Sequence, residues 1–444
     1  MQTTFTPEQL ADPKIAEAND ILRKCVHCGF CTATCPTYVE LGNELDSPRG
    51  RIYLIKDMLE NGRPADREIV THIDRCLSCL ACMTTCPSGV DYMHLVDHAR
   101  AHIEKTYRRP LPDRATRALL AFVLPHPGRF RAALKLARLG RPFARAMRLV
   151  PALRPTAAML ALAPAAVPAP SPMAQPGRHA AAGARRGRVA ILTGCAQPVL
   201  APDINEATIR LLTRLGIEVA VPAGEGCCGA LVHHMGKEEA ALAAARRNVD
   251  AWTAQIDGDG LDAIIVTASG CGTTIKDYGH MLRHDPAYAD KAARVSALAR
   301  DVTEYLATLE LPEPAHRPGL AVAYHAACSM QHGQRIRRQP KALLEKAGFV
   351  VSEPREGHLC CGSAGTYNIM QPEIATRLRD RKVRNLAATG AAVVATGNIG
   401  CITQIAAGAA LPVVHTVALL DWAYGGPRPA GVPDAGRAEA SAAV

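Results

Sequence analysis

The sequence predicts an α + α/β chain, with an all-helical N-terminal module built on two four-cysteine motifs, then two tandem α/β repeats that each carry a cysteine quartet. Three observations predict it. Cysteines recur as Cys25, Cys28, Cys31 and Cys35, and again as Cys76, Cys79, Cys82 and Cys86, each run closed by a proline. The stretch between the runs carries helix signals rather than strand alternation. From residue 188 onward short apolar strands alternate with helices, and that order occurs twice.

Each N-terminal run is C-x2-C-x2-C-x3-C-P, the ligand spacing of a bacterial [4Fe–4S] site. Three thiolates two residues apart wrap one turn of backbone around one face of a cubane, and the proline ends the turn. In two-cluster proteins the fourth cysteine reaches across to the other cluster. One cubane is therefore assigned to Cys25, Cys28, Cys31 and Cys86, the other to Cys76, Cys79, Cys82 and Cys35. Zinc has no use for two identical quartets of this spacing. Disulfides would need an oxidising compartment.

At 444 residues there is room for about three domains. The start, Met1-Gln-Thr-Thr-Phe-Thr-Pro, has neither the basic nor the apolar region of a secretory leader. The 16 cysteines then read as reduced thiols in a cytoplasmic setting. The long uncharged stretch 155–177 is broken by five prolines and cannot span a membrane as a helix. The net charge of +10 is uneven, because no Asp or Glu occurs from Arg114 to Pro202 while arginines recur. With six Phe and two Trp there is little to stack on bases, and no helix-turn-helix or finger pattern appears, so nucleic acid is not an expected partner.

Taken in order, residues 1–110 form the helical module. Helices are expected over 13–23, from a cap at Asp46 or Ser47 through 52–59, and over 66–74. A further helix carries His94, His98 and His102 at i, i+4, i+8, read as a solvated or cluster-flanking face. Residues 111–187 start with two amphipathic helices, the first carrying Leu119, Leu120, Phe122 and Val123, the second, broken at Gly140-Arg141-Pro142, setting Phe130, Leu134, Ala137, Phe143 and Met147 opposite Arg131, Lys135, Arg138, Arg145 and Arg148. They serve either as a bundle with a solvated arginine face or as a membrane- or partner-docking surface. The Ala/Pro-rich remainder, 151–187, reads as a flexible linker.

The first repeat covers 188–310 and the second 318–425, with 426–444 expected as a disordered tail. Strands are expected at 189–193, 217–221 and 263–267, then at 320–324, 349–351 and 392–395. Cys195 to Cys227 and Cys328 to Cys360 are both steps of 32 residues, which marks a duplication. The quartets are Cys195, Cys227, Cys228, Cys271 and Cys328, Cys360, Cys361, Cys401. Cys195, Cys271 and Cys401 directly follow strand ends and Cys328 stands four residues past Tyr324, the region where parallel α/β sheets gather their functional residues. Three readings stand for them: buried apolar thiols, zinc, or an additional iron–sulfur site, which adjacent cysteines favour because they can bind neighbouring irons. The repeats are not identical, since His325 precedes Cys328 by three residues where Leu192 stands before Cys195. No G-x-G-x-x-G opens a βα unit, so flavin or nicotinamide chemistry is expected on a partner.

The run C-V-H-C-G-F-C-T-A-T-C-P-T-Y, the following G-N-E-L-D-S-P-R-G-R-I-Y-L-I-K and the two C-C-G repeats together resemble the iron–sulfur subunits of bacterial glycolate oxidase (glycolate dehydrogenase) over 1–425. The C-C-G repeats alone also resemble heterodisulfide reductase, anaerobic glycerol-3-phosphate dehydrogenase and lactate-utilisation proteins. The resemblance implies two [4Fe–4S] clusters and an electron-transfer subunit with no catalytic residue of its own. It implies a flavin-bearing partner that oxidises glycolate to glyoxylate, a membrane electron acceptor such as a quinone, and a place at the inner face of the cell membrane. The alternatives it leaves are a lactate or glycerol-3-phosphate system, or a catalytic subunit of the heterodisulfide-reductase kind. In that enzyme each C-C-G motif ends in C-x-x-C. Here Ala268 and Asn398 stand at the corresponding positions before Cys271 and Cys401.

Overall fold

The computed structural model describes residues 1–434. Among them, every regular element before Gly177 is a helix. Caps set the helix starts. Asp12 accepts from the Lys14 N–H to open Pro13–Lys24, Ser47 from Gly50 to open Pro48–Glu60, and Asp66 from Ile69 to open Arg67–Asp74. Proline at the first helical position loses no bond, because that N–H has no intrahelical partner. Together with Tyr92–Thr106 these helices close on Leu22, Ile55, Met58, Ile73, Leu95 and Ile103, and the two cysteine loops are held between their ends.

Among the described residues nine strands form two sheets: β1 (Gly177–His179), β2 (Gly187–Ile191), β3 (Ile217–Val221), β4 (Ala263–Val266) and β5 (Ala299–Asp301), then β6 (Ala321–His325), β7 (Val350–Ser352), β8 (Val393–Thr396) and β9 (Val413–His415). The orders are β1-β3-β2-β4-β5 and β7-β6-β8-β9, parallel throughout except that β1 runs antiparallel to β3. Leaving out β1, the two orders are the same. Strands β4 and β8 are buried from end to end because helices cover both faces.

The two repeats meet about a local pseudo-two-fold relation. Helix Asp203–Arg214 of the first packs on Thr416–Ala423 of the second, and Gln339–Lys346 of the second packs on Val302–Leu306 of the first. One apolar core runs through both, from Val189 and Ile265 to Val322 and Val393. The carboxyl ends of β4 and β8 face each other, with the Ser269 N–H donating to the Gly397 carbonyl at 3.2 Å.

Two stretches differ from their sequence reading. The expected linker 151–187 is folded: Arg154–Leu162 is a helix that buries Ala157 and Leu160, and β1 joins the first sheet. Alanine and leucine there are an apolar face rather than a spacer, and the prolines fall in the first turn of an element, as Pro155 and Pro172 do, or between elements. The expected tail is packed at its start, where the Gly426 N–H donates to the Asp421 carbonyl at 2.7 Å and Val432 is buried in the common core; residues 435–444 lie outside the described residues.

The histidine face of Tyr92–Thr106 meets the first repeat instead of solvent. His94 donates to Asp91 at 2.8 Å and to Asp277 at 2.9 Å, and its ring stacks on His280 at 3.5 Å. His280 contacts Glu17 at 2.6 Å, and Lys14 reaches Glu238 at the same distance. Burial works against the charge on His94, but the bonds to Asp277 and Asp91 outweigh it and raise its pKa from 6.5 to about 10. Its charged form therefore stabilises the fold fully below about pH 6.5, and that contribution is lost as pH rises through about 10. The melting temperature should fall more steeply between pH 7 and 10.5 in the wild type than in His94→Leu. Parallel curves for the two proteins would refute this.

Candidate metal centres

The two N-terminal loops have the same backbone. In each, the residue before the second cysteine and the residue after it take positive φ: His27 (56°) and Gly29 (85°), Ser78 (49°) and Leu80 (62°). Three of these four are not glycine, a conformation that costs energy and is kept where a loop must curl around something. Cys25, Cys28, Cys31 and Cys86 line one small pocket, with Cys82 and Tyr92 in its wall. Cys28 is exposed. Burial pushes the Cys31 thiol up to about 11, with Cys25 and Cys35 adding to the effect.

Cys35 lies outside that pocket, and its Sγ donates to the Asp46 carbonyl at 3.5 Å. Burial drives the Cys79 and Cys82 thiols well up, and the neighbours that add to it include Cys76 and Cys35 in both cases. The Tyr92 hydroxyl donates to Cys76 Sγ at 3.7 Å. Arg51, 1% exposed, points Nη1 at Cys35 Sγ (3.8 Å), while Nε donates to the His72 carbonyl at 2.7 Å and Nη2 to Thr37 Oγ1 at 2.9 Å. Its counter-ion is Asp46, fully buried, which also accepts from His72 Nδ1 at 2.8 Å and from Arg75 at 2.9 Å. Between them Gly50 has no room for a side chain: a Cβ there would stand 2.1 Å from the Glu44 carbonyl. Sequence reading missed this network, although Asp46-Ser-Pro-Arg-Gly-Arg51 was legible as a motif.

The C-terminal quartets also repeat in detail. Gly229 and Gly362 both have φ of +87°, and each donates its N–H to the first sulfur of its pair, Cys227 or Cys360, at 3.4 Å. Neither position takes a Cβ freely, since Ala241 O and Ala375 O lie 3.0 and 2.6 Å away from where it would be. That is the reason for the glycine in C-C-G. Cys328 and Cys360 Sγ are 3.7 Å apart, Cys361 and Cys401 Sγ 3.4 Å. Two thiolates on one tetrahedral metal at 2.3 Å would sit about 3.8 Å apart, so these pairs fit metal ligation. His325 joins the second pair, with ligand atoms within 4.8 Å of Cys361 and Cys401. Asn398, at the position of the missing cysteine, donates to Cys401 Sγ at 3.5 Å. Thiols packed this closely raise one another: bonding to Cys227 comes first for Cys195 and Cys228, and bonding to Cys360 first for Cys328. Cys227 moves the other way, because Cys195, Cys228 and the Gly229 N–H all donate to it.

Both quartets open on one cavity of about 420 Å³, which every one of their cysteines except Cys227 lines. Its outer wall is apolar: Leu120, Val123, Leu134, Met159 and Leu160, from the helices Leu111–Val123, Pro127–Gly140 and Arg154–Leu162. Cys79 connects the two halves of the chain, sharing a buried cluster with Cys360 and feeling the charge of Cys328.

Residues 21–90 match the 4Fe-4S dicluster domain family, and 189–276 and 322–406 both match the cysteine-rich domain family. The chain is 45% identical over 427 residues to the glycolate oxidase iron–sulfur subunit of Escherichia coli, covering 95% of this chain and 99% of that one. It belongs to the glycolate oxidase iron–sulfur subunit family. A probable glycolate oxidase iron–sulfur subunit of Bacillus subtilis is 32% identical over 87% of the chain and 89% of its own length. Lactate utilization protein A of the same organism matches 49% of the chain at 26% identity, over 90% of its own length. A Helicobacter pylori hypothetical protein of solved structure shares the fold alone, with a TM-score of 0.52 at 10% identity over 94% of this chain and 73% of that one. As a glycolate oxidase iron–sulfur subunit, the chain binds iron–sulfur clusters and is part of an oxidoreductase complex. Among the described residues, no helix is long and apolar enough to cross a membrane.

Proposed function

We propose that this chain relays electrons from a flavoprotein subunit, where glycolate is oxidised to glyoxylate, toward a membrane acceptor such as a quinone. Two [4Fe–4S] clusters, on Cys25, Cys28, Cys31, Cys86 and on Cys76, Cys79, Cys82, Cys35, supply one-electron chemistry when bound. The observation that carries the reading is a series of thiols that runs from a surface pocket through a buried cluster to the shared cavity. It starts at the exposed Cys28, flanked by Val26 and Phe30 at 66% and 63% exposure, and passes through Cys82 and Cys79 to Cys360 and the shared cavity. Val26 and Phe30 give a flavoprotein an apolar seat at the entry, and the residues between keep water out of the line. The C-C-G quartets hold at least one further metal centre at its inner end. Purified chain given glycolate and an artificial acceptor should show no turnover until the flavoprotein is added. Turnover by the chain alone would replace the relay with a catalytic subunit.

The outer end of the relay is the helical cover of the cavity, a peripheral seat on the inner face of the membrane. Leu119, Phe122, Leu136, Leu139, Phe143 and Leu149 are all exposed there, amid arginines and with no acidic residue from Arg114 to Pro202. Apolar side chains enter the headgroup boundary, and each basic residue near an anionic surface contributes about 1 kcal/mol. Pelleting with anionic vesicles is expected at low salt and should weaken at high salt. Equal pelleting with neutral vesicles would remove the electrostatic part of this reading.

A further inference from the structure

We propose that the His325 imidazole is a nitrogen ligand to the metal that Cys361 and Cys401 hold, so that the second quartet builds a centre chemically unlike the first. The inference rests on the reading that the second quartet holds metal.

His325 ends β6 and is 1% exposed. Among the described residues it is the only histidine with both ring nitrogens buried and without a partner. Other buried histidines of the same half are satisfied: His332 by Thr84 and the His358 carbonyl, His415 by the Thr267 carbonyl and the Val417 N–H. Native cores rarely leave such a group unmet, and each exception calls for a missing partner. The nearest candidate partner is a metal, since the ring nitrogen and the sulfurs of Cys361 and Cys401 lie within 4.8 Å of one another. Neutral imidazole is a common ligand of iron and zinc, and mixed His and Cys sets are used for both.

The first quartet lacks this ligand. Leu192 holds the equivalent position, buried at 3% exposure. Two neighbouring positions differ in the same sense. The helix that packs beneath each C-C-G glycine carries Asn248 in the first repeat, bound to the Cys227 carbonyl, and the buried Lys382 in the second, whose charge reaches all four thiols. Before the C-C pair stand Glu225 and His358 respectively. A neutral nitrogen among the ligands, in more positive surroundings, favours the reduced form more than an all-thiolate set does and raises the potential, as in His-ligated [2Fe–2S] centres. The second quartet, which adjoins Cys79, is then the more readily reduced of the two.

The test uses the full chain purified anaerobically, with its iron and zinc counted. Pulsed EPR of protein labelled with [15N]histidine should show a strongly coupled histidine nitrogen on a centre other than the two cubanes. If the metal is zinc, X-ray absorption at the zinc edge should need nitrogen as well as sulfur neighbours. In His325→Leu, which copies the first repeat, that nitrogen should vanish while metal content and cubane signals stay. Where the centre is redox-active, its reduction equilibrium should move at least tenfold toward the oxidised form, about 59 mV for one electron. Unlabelled-like spectra from the labelled wild type, or a sulfur-only zinc edge, overturn the inference without any variant. So does a metal-replete His325→Leu with unchanged spectrum. A Cys361→Ser/Cys401→Ser protein with the wild-type metal count would show that the quartet holds no metal, and the underlying reading would fall with the inference.

Discussion

Asp46→Ala is expected to cost the N-terminal module about 3–5 kcal/mol, the usual penalty for leaving buried charge unpaired. Asp46 is fully buried among Arg51, His72 and Arg75, and only Arg75 has substantial contact with water. Without the carboxylate, Arg51 keeps its charge in the core and loses the only acidic group in salt-bridge range among the described residues, while His72 loses its acceptor. The damage should reach the metal, because the same guanidinium lies 3.8 Å from Cys35 Sγ and donates to Thr37 beside it. Thermal melts should drop sharply and the visible absorbance of the clusters should bleach first. Arg75→Ala, at the solvent edge of the network, should cost about 1 kcal/mol or less. A loss under about 1 kcal/mol in Asp46→Ala would mean that the network is not what orders this loop.

Cys35→Ser is the second large effect. The crossed assignment predicts that it removes the cluster held by Cys76, Cys79 and Cys82, although Cys35 belongs to the other sequence run. Cys31→Ser and Cys86→Ser should instead damage one common cluster, the one seated in the pocket that Cys25, Cys28, Cys31 and Cys86 line. Serine nearly matches cysteine in size, so the fold should survive and the reduced EPR spectrum should lose its spin–spin coupling while one signal remains. If Cys35→Ser and Cys31→Ser perturb the same signal, ligation follows sequence order and the crossed scheme is wrong.

The readable parts of this chain were those whose chemistry is local. Ligand spacing, the proline after each fourth cysteine and the 32-residue step all act within a few turns of backbone, and strands such as Ala263–Val266 declare themselves by unbroken apolar character. What escaped depends on contacts between distant segments. Nothing local marks Arg51 as buried; the fold brings Asp46, His72 and Cys35 around it. The three-residue strands Ala299–Asp301 and Val413–His415 carry Arg300, Asp301 and His415, so no apolar run marks them, and parallel pairing with β4 and β8 makes them strands. The stretch 151–187 has linker composition, yet its leucines and alanines find an apolar cavity to cover. His94, His98 and His102 lie on one helix face, as their spacing requires. Only the acidic groups of the first repeat reveal that the face is a joint.

The paired contacts between the repeats say something about how such a chain could have arisen. Helix Asp203–Arg214 on Thr416–Ala423, and its counterpart Gln339–Lys346 on Val302–Leu306, are the same contact made twice with the roles exchanged. That is the isologous pattern by which two copies of one subunit bind each other. An ancestral single-repeat protein with this surface would have been a homodimer, and fusing two such genes would have kept the interface while freeing the halves to diverge. The difference between Leu192 and His325 is one that only the fused form permits, since in a symmetric dimer a change at that position would alter both sites at once.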